Sequence, residues 1–397
     1  MFGQQVLDFL FPPRVLFGIG AISRVGSLAG ELSSGRSALI LTDKILVGMG
    51  FMKEIRGHLE GAGFQIQVFD EVETEPREET VLRVAEHVRG VRPDVIIGVG
   101  GGSVLDMSKT ASVMATNPGD PLEYFGAPLM PAKRSPERRG IPKVLIPTTA
   151  GTASEVTQFA VIIDRDRRTK KALSSPHAMA DLALVDPSLT ASMPPRLTAG
   201  CGMDALSHAI EGYMSLWSSP LTDAVSLEAS RLIFQNLRRA YYNGGDMNAR
   251  YNMSLAASMA GIPLANAKVV LGHSIAQVIG PRYGIPHGIA CGMALPYAMR
   301  YNLPVLIDKF CKLAWYIGIE PSGSEKRLAE IMVEEVSNLA RDIKIPLSLN
   351  QLGIDKEDLS DIAEDIIRYQ PRPNNPRILV KEDLRELLLD MWNGKIF

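Results

Sequence analysis

Four candidate metal ligands lie in the second half of the chain, in two pairs. Asp204 and His208 are four residues apart, so on a helix both side chains lie on one face. His273 follows a glycine, and His287 lies between a proline and a glycine, as at the start of a helix. One carboxylate and three imidazoles suit Fe(II) or Zn(II), whereas Mg or Ca would require oxygen ligands. Any one histidine alone could simply satisfy a core hydrogen bond, but the four together predict one divalent metal site.

The elements that must position these ligands change character near residue 187. Short apolar segments that read as strands alternate with amphipathic patterns in the first half, as in a parallel α/β sheet, and residues 76–89 read as a crossover helix. The segments that read as strands are 37–42, 64–69, 95–99, 143–147 and 181–185. After Pro187 only helical patterns follow, among them 221–241, 253–262, 327–343 and 381–392. We therefore predict an α/β domain over 1–187 and an all-helical domain over 188–397, with the metal facing the cleft between them.

A glycine turn follows the strand at 95–99. It consists of three consecutive glycines, Gly100, Gly101 and Gly102, and a helical pattern begins at Ser103. Without Cβ atoms the backbone can approach a ligand closely, and the amides at a helix N-terminus attract a pyrophosphate. Counted from Gly98 the pattern is G-x-G-x-x-S, so the third glycine of the usual dinucleotide fingerprint is missing. The turn indicates either a dinucleotide site or simply a tight strand-to-helix connection.

Two further features favour a dinucleotide. The loop that begins with Thr148 and Thr149 follows a strand directly and carries hydroxyl groups and small residues. Asp43 ends another strand, where a carboxylate can bind the adenosine ribose and repel a 2′-phosphate, which favours NAD over NADP. The same residues could instead form a solvated loop and a strand-end cap. Asp43 also precedes the glycine turn, so this is not the ordinary two-halves Rossmann arrangement.

Bulk composition limits the class of partner. The chain has 397 residues and a net charge of −2, from 42 basic and 44 acidic residues, so it lacks the basic footprint of a nucleic-acid or membrane-surface protein. No apolar run approaches the roughly 20 residues that cross a bilayer. Three scattered cysteines form neither a disulfide framework nor a CxxC site, and the N-terminal residues do not resemble a secretion signal. We expect a cytoplasmic protein that acts on a small molecule.

These motifs together resemble the iron-containing, or group III, alcohol dehydrogenase family. The matching stretches are Gly100–Ser103 with Asp106 and Lys109, residues 148–157, Asp204 with His208 and Glu211-Gly212, and Pro286-His287-Gly288. The resemblance implies a dinucleotide-binding α/β domain, a helical domain, and a nicotinamide cofactor that meets a divalent metal, iron in preference to zinc, between them. It implies metal ligands at Asp204, His208, His273 and His287. It implies cofactor contacts at Asp43, Gly101, Gly102, Ser103, Thr148, Thr149, Val161 and Lys170, a small alcohol or aldehyde substrate, and a homodimer or higher homo-oligomer.

The chain departs from the family pattern at Gln277. Many members carry a second histidine four residues after the third metal ligand, and an amide there can contact substrate or cofactor but cannot relay a proton. Gln277 is therefore the candidate catalytic residue, although it could merely pack. Two other functions remain open: a non-redox lyase resembling dehydroquinate synthase, and a metal- and nucleotide-binding protein without turnover. The lyase would need a dense basic cluster, and only Arg282 follows His273 closely.

Overall fold

A computed structural model describes residues 9–127, 130–164, 169–320 and 323–397. The strands are β1 Val15–Phe17, β2 Ser37–Leu41, β3 Gln65–Phe69, β4 Val95–Gly100, β5 Lys143–Pro147, β6 Phe159–Asp164, β7 Thr169–Ser174 and β8 Leu182–Val185. The helices are α1 Val25–Leu32, α2 Lys44–Val47, α3 Gly50–Gly61, α4 Glu78–Val91, α5 Gly102–Thr116, α6 Pro195–Met214, α7 Pro220–Tyr242, α8 Met247–Asn266, α9 Leu271–Tyr283, α10 His287–Asn302, α11 Ile307–Ile317, α12 Glu325–Asp342, α13 Leu359–Tyr369 and α14 Lys381–Asn393.

Six strands form one parallel sheet in the order β1-β8-β5-β4-β2-β3. The predicted α/β organisation is thereby confirmed, and all five expected strands belong to this sheet. The sixth strand, β1, was missed because its three residues are too few to show a pattern. The chain passes from β2 outward to β3 and then returns to place β4 on the other side of β2. The reversal leaves a crevice at the carboxyl ends of β2 and β4, where ligands of such sheets bind.

Helices cover both faces of the sheet, because successive side chains of each strand point to opposite faces and are apolar on both. Leu39 of β2 and Ile96 of β4 pack with α4 and α5 on one face. Ile40 and Ile97, the next residues along the same strands, pack with α1 and α3 on the opposite face. A strand with both faces buried lacks polar alternation, which is why these segments read as nearly continuous apolar runs.

A separate antiparallel hairpin pairs β6 with β7. The sequence did not indicate β7, because Lys170 and Lys171 give it the composition of a solvated turn. Tertiary contacts override that composition: Lys171 forms ion pairs of 2.8 Å with both Glu78 and Asp164.

The second half is helical, as predicted. Within the described residues no strand follows Val185, and α6 to α14 share one apolar core. The connection is a short 3-10 helix, Pro187–Ser192, capped by the Asp186 side chain, after which α6 begins at Pro195. None of the described helices is by itself long and apolar enough to cross a membrane. The pair α8 and α9, bent by 102°, passes such a test only when the two are combined.

Candidate metal and nucleotide site

Three helices bring the four expected metal ligands together. Asp204 and His208 lie one turn apart on α6, His273 lies in the first turn of α9, and His287 is the first residue of α10, as its Pro-His-Gly context predicted. The carboxylate is central: Asp204 Oδ1 lies 3.6 Å from His208 Nε2 and 3.7 Å from the Nε2 atoms of both His273 and His287. These ring nitrogens therefore converge on one carboxylate oxygen, as in an ion-binding site.

Cys291 is a fifth donor group in this cluster that the sequence analysis did not assign. Its Sγ lies 3.7 Å from His273 Nε2 and 3.6 Å from His287 Nε2. Donor atoms of Asp204, His273, His287 and Cys291 all lie within 4.8 Å of one another. The signal in the sequence was the four-residue step from His287 to Cys291 along α10, but a single buried thiol seldom attracts notice.

The electrostatics of the cluster suit a cation. Asp204 Oδ1 is buried and has no hydrogen-bond partner, a costly arrangement for a carboxylate unless an ion compensates it. Burial alone would raise the pKa of Asp204, but the imidazoles of His208, His287 and His273 hold it below its ordinary value. Burial lowers the pKa of His208, and burial together with the charge of Lys170 lowers that of His287. Neutral imidazoles carry the lone pairs that a metal requires.

Glu211 supports the cluster from behind. This fully buried carboxylate, two turns after Asp204 on α6, accepts a 2.6 Å hydrogen bond from His273 Nδ1. Its other oxygen accepts from the backbone N–H groups of Val270 and His273, at 2.8 and 3.1 Å. Because a carboxylate only accepts, Nδ1 carries the proton and the lone pair of His273 Nε2 faces Asp204. A Cβ atom at Gly272 would lie 2.6 Å from Glu211 Oε1, so glycine makes room for this carboxylate.

Six of the eight expected nucleotide residues follow strand ends at one edge of the sheet, whereas Val161 and Lys170 lie on the β6–β7 hairpin. Asp43 follows β2, Gly101 follows β4 and Thr148 follows β5, and these three strands are neighbours. Asp43 caps α2, because its Oδ1 accepts from the backbone N–H groups of Ile45 and Leu46, each at 2.9 Å. Asp43 is therefore a helix cap at the end of β2, and this role occupies its Oδ1 atom.

The N-terminus of α5 opens at this edge. Gly101 is its N-cap residue and supplies no side chain to cap the first N–H groups, which is the condition for an anion site. The neighbouring Thr149 lies close, since a Cβ atom at Gly101 would be 3.6 Å from its Cγ2. Gly102 is required for packing: a Cβ atom there would lie 2.7 Å from Thr152 Cγ2.

Ser103 and Lys170 are linked through Glu75, a residue that the sequence analysis missed. The Ser103 hydroxyl accepts from the Glu75 backbone N–H at 3.1 Å, and Lys170 Nζ lies 3.4 Å from Glu75 Oε1. Glu75 has a φ of 57°, in the left-handed region that few non-glycine residues adopt. Glu75 thus connects α5 and the loop before α4 with the β6–β7 hairpin. Besides burial, the charge of Lys170 on this hairpin also lowers the pKa of His287.

Val161 is positioned by Asp106, which lies on α5 and belongs to the motif at the glycine turn. The Val161 backbone N–H donates to Asp106 Oδ2 at 2.9 Å, while Oδ1 accepts from the hydroxyl of Ser154 at 2.6 Å. Lys109 pairs with the same carboxylate at 3.2 Å and is fully buried. Asp106 and Lys109 therefore hold the hairpin and the loop after β5 against α5.

Gln277 shares the face of α9 that carries His273, one turn further along the helix. Its side chain is engaged: Gln277 Oε1 accepts from Arg372 Nη2 at 2.8 Å. Arg372 Nε also donates to the hydroxyl of Ser274, the residue after His273, at 3.2 Å. Arg372 is a further residue that the sequence did not reveal, because 95 positions separate it from Gln277.

A parallel sheet with a glycine turn, joined to a helical domain that carries a metal-type cluster, defines a nicotinamide-dependent oxidoreductase. Residues 12–187 match the family model described as iron-containing alcohol dehydrogenase, and residues 198–392 match the model of the C-terminal region of the Fe-containing alcohol dehydrogenase family. The chain therefore belongs to the iron-containing alcohol dehydrogenase family, and the resemblance stated from its motifs is confirmed.

Individual relatives agree over nearly the whole chain. Long-chain-alcohol dehydrogenase 1 of Geobacillus thermodenitrificans is 34% identical over 399 residues, which cover 99% of this chain and 98% of that protein. The 1,3-propanediol dehydrogenase of Citrobacter freundii is 36% identical over 386 residues, covering 96% and 98%. A crystal structure of a 1,3-propanediol oxidoreductase superposes with a TM-score of 0.92 at 34% identity, covering 98% of this chain and all of that one. The protein is an alcohol dehydrogenase, and these relatives give no support to the lyase or binding-protein alternatives.

Proposed function

We propose that this alcohol dehydrogenase holds one divalent metal ion with Asp204, His208, His273 and His287, Fe(II) in preference to Zn(II). The observation that carries the proposal is Asp204 Oδ1, buried without a hydrogen bond and 3.6–3.7 Å from three imidazole nitrogens. A metal bound there would act as a Lewis acid toward the oxygen of an alcohol or carbonyl. The choice of iron rests on the family, because the ligand types suit both metals.

We further propose NAD as the cofactor, with the pyrophosphate at the N-terminus of α5. Gly101, Gly102 and Ser103 would offer backbone N–H groups, and Thr148 and Thr149 would offer hydroxyls from the adjacent strand end. Val161 and Lys170 would contact the cofactor from the hairpin. Asp43 supports NAD over NADP, because a carboxylate repels a 2′-phosphate. Relatives differ in this respect: a butanol dehydrogenase of Clostridium saccharobutylicum is named NADPH-dependent and a methanol dehydrogenase of Bacillus methanolicus NAD-dependent, each 32% identical.

The residues around the cluster have separate tasks in hydride transfer. Glu211 fixes the orientation and tautomer of His273 through the 2.6 Å hydrogen bond. Asp106 and Lys109 hold the hairpin and the loop after β5 in place beside α5. Gln277 neither gives nor takes a proton near neutral pH, so this position would supply a hydrogen-bond contact to substrate or cofactor in place of the proton relay that a histidine offers. Gln277 acts by contact and orientation.

The substrate class that fits best is a primary alcohol or the corresponding aldehyde. Relatives carry the names 1,3-propanediol dehydrogenase, methanol dehydrogenase of Bacillus methanolicus and lactaldehyde reductase of Escherichia coli, at 36, 32 and 34% identity, and each name denotes a primary alcohol or an aldehyde. We also propose a homodimer or higher homo-oligomer, a division at residues 1–187 and 188–397, and a cytoplasmic location, which suits three unpaired cysteines.

The test is nicotinamide absorbance during incubation with primary alcohols and aldehydes. Protein stripped by a chelator and reloaded with Fe(II) or Zn(II) is compared with stripped protein, each with NAD(H) and with NADP(H). We expect turnover only after metal is restored, together with about one ion per chain by elemental analysis. Absence of turnover with every alcohol and aldehyde, or full turnover of stripped protein, would contradict the proposal.

A further inference from the structure

Arg372, in the segment between α13 and α14, contacts the face of α9 beside the metal-type cluster and has no acidic partner among the described residues. Its Nε and Nη2 atoms donate only to neutral oxygens, those of Ser274, Gln277 and Gln370, at 3.2, 2.8 and 3.4 Å. In the described part of the chain, no carboxylate lies within 4.0 Å of its guanidinium, and Nη1 donates to no protein atom. A partly buried charge in this condition is costly unless a ligand completes it.

The contrast with Arg282, also on α9, is direct. Arg282 lies at the far end of the helix and forms ion pairs with Asp358, Asp361 and Asp365, at 3.0, 4.0 and 3.6 Å. Burial lowers the pKa of Arg372, and only the Glu211 carboxylate opposes that shift from a distance. The chain therefore neutralises one arginine of this region and leaves the other uncompensated.

The position and chemistry of the Arg372 guanidinium indicate which kind of group it could bind. Its two anchor points on α9, Ser274 and Gln277, are one and four residues after His273. At about 1.5 Å of rise per residue, these two partners lie about 1.5 and 6 Å beyond His273 along the helix axis, so the guanidinium is held against the turn of α9 that follows this metal ligand. A planar fork of N–H donors fits the oxygens of a carboxylate or sulfonate.

We propose that Arg372 binds an anionic group of the substrate, and that the enzyme acts on short hydroxy acids or hydroxy sulfonates and the corresponding aldehydes. The inference rests on the proposed function, in which the reacting oxygen lies beside His273. The substrate would be short, with its anionic group two or three bonds from the reacting carbon, because Arg372 is held against the turn of α9 directly after His273. Gln277 is a positioning residue, because its amide oxygen holds the guanidinium in place.

The experiment compares substrates of equal length and different charge. Probes are 3-hydroxypropanoate, its uncharged amide 3-hydroxypropanamide, 1-propanol, and 2-hydroxyethanesulfonate as the sulfonate probe. For the metal-loaded enzyme we expect a kcat/KM at least about tenfold higher for the acid than for the amide, chiefly through KM, since charged contacts of this kind are worth that much. A higher value for the sulfonate than for the carboxylate would identify the tetrahedral headgroup as the preferred one.

Variants distinguish substrate binding by Arg372 from a purely structural role of this residue. Arg372→Met should lower kcat/KM for the acid about 100-fold, which corresponds to about 2.7 kcal/mol, and that for the amide less than about threefold. Arg372→Lys should recover part of the loss, because a lysine keeps the charge but not the fork. Gln277→Leu should weaken acid preference by about tenfold through KM. Arg282→Met, the matched control on the same helix, should leave the acid-to-amide ratio unchanged.

Three outcomes overturn the inference while the proposed function stands: a wild type that turns over acid and amide equally, an Arg372→Met variant that loses both alike, and an Arg282→Met variant that loses acid preference. Turnover of no alcohol at all would instead refute the proposed function. Isothermal titration of 3-hydroxypropanoate into metal-loaded protein then decides about Arg372. Binding by the wild type that weakens about 100-fold in Arg372→Met supports the inference, whereas equal binding or none overturns it.

Discussion

Glu211 binds His273 at two points, the ring Nδ1 at 2.6 Å and the backbone N–H at 3.1 Å. One carboxylate thus fixes both the start of α9 and the orientation of the imidazole on it. The arrangement depends on α6, which places Glu211 two turns after Asp204 so that both acids reach the same histidine from opposite sides of its ring. The metal-type cluster is therefore held by a second layer of contacts.

Glu211→Gln should weaken metal binding by about 10–100-fold, the usual effect of removing an outer partner of a histidine ligand. A glutamine carries one acceptor oxygen in place of two, so it cannot accept from the ring and both backbone N–H groups at once. Metal affinity is measured by competition with a chelator. Glu228→Gln, which removes a surface partner of Arg231 on α7, is the control and should bind metal normally. Unchanged affinity in Glu211→Gln would show that His273 does not need this partner.

Substitutions at His208 and Cys291 decide which group completes the ligand set. We expect His208→Ala to lose bound metal and Cys291→Ser to retain it, because the carboxylate and three imidazoles already supply four ligands. Elemental analysis after desalting gives the stoichiometry, and His177→Ala provides a histidine control from outside the cluster. If Cys291→Ser lost the metal while His208→Ala kept it, the ligands would be Asp204, His273, His287 and Cys291, the four donors within 4.8 Å.

Asp43→Asn should relax cofactor choice without unfolding the turn. Asparagine caps a helix as well as aspartate does, so the hydrogen bonds to Ile45 and Leu46 can persist while the charge is removed. Asp43→Ala removes the cap as well, at a cost of about 1 kcal/mol in stability. We expect the ratio of kcat/KM for NAD to that for NADP to fall at least about tenfold in both variants. A ratio equal to that of the wild type in Asp43→Asn would reduce Asp43 to its capping role.

Most of the fold was predictable because buried strands and amphipathic helices leave periodic patterns over several residues. The segment 76–89 was expected to be a helix, and α4 occupies Glu78–Val91 with Val81, Val84 and Val88 buried. Strand β7 was not predictable, because its lysines become acceptable only when Glu78 and Asp164 face them. Such partners come from distant parts of the chain.

The same limit applies to the site. Asp204 and His208 share a helix face, so their spacing alone indicated one cluster, and the proline and glycine around His287 indicated a helix start. Glu75 and Arg372 gave no comparable signal. Each acts through residues at least 28 positions away, Ser103 and Gln277 respectively, and only the folded chain brings them together.

Lys268 offers a pH-dependent test of stability. Burial lowers its pKa to about 8, and its Nζ donates to the Ala265 carbonyl at 2.6 Å and lies 4.4 Å from the centre of the Phe159 ring. Since the ordinary value is 10.5, the unfolded chain binds more protons than the folded chain between about pH 8 and 10.5. The folded protein therefore carries the full cost of the buried charge below pH 8 and loses that cost as the pH rises to 10.5.

Lys268→Met should accordingly stabilise the protein at pH 7 by on the order of 1–2 kcal/mol, after allowance for the lost contact with Phe159. The Ala265 carbonyl keeps a second donor, Gln158 Nε2 at 3.3 Å, so the substitution leaves no buried acceptor unpaired. The free energy of unfolding is measured by chemical denaturation at pH 7, 8, 9 and 10 for wild type and variant, with the exposed Lys133→Met as control. The advantage of Lys268→Met should shrink steadily above pH 8, because the wild type discharges Lys268 there. A difference that stays constant across this range, or one that grows with pH, would show that Lys268 is not held at a lowered pKa.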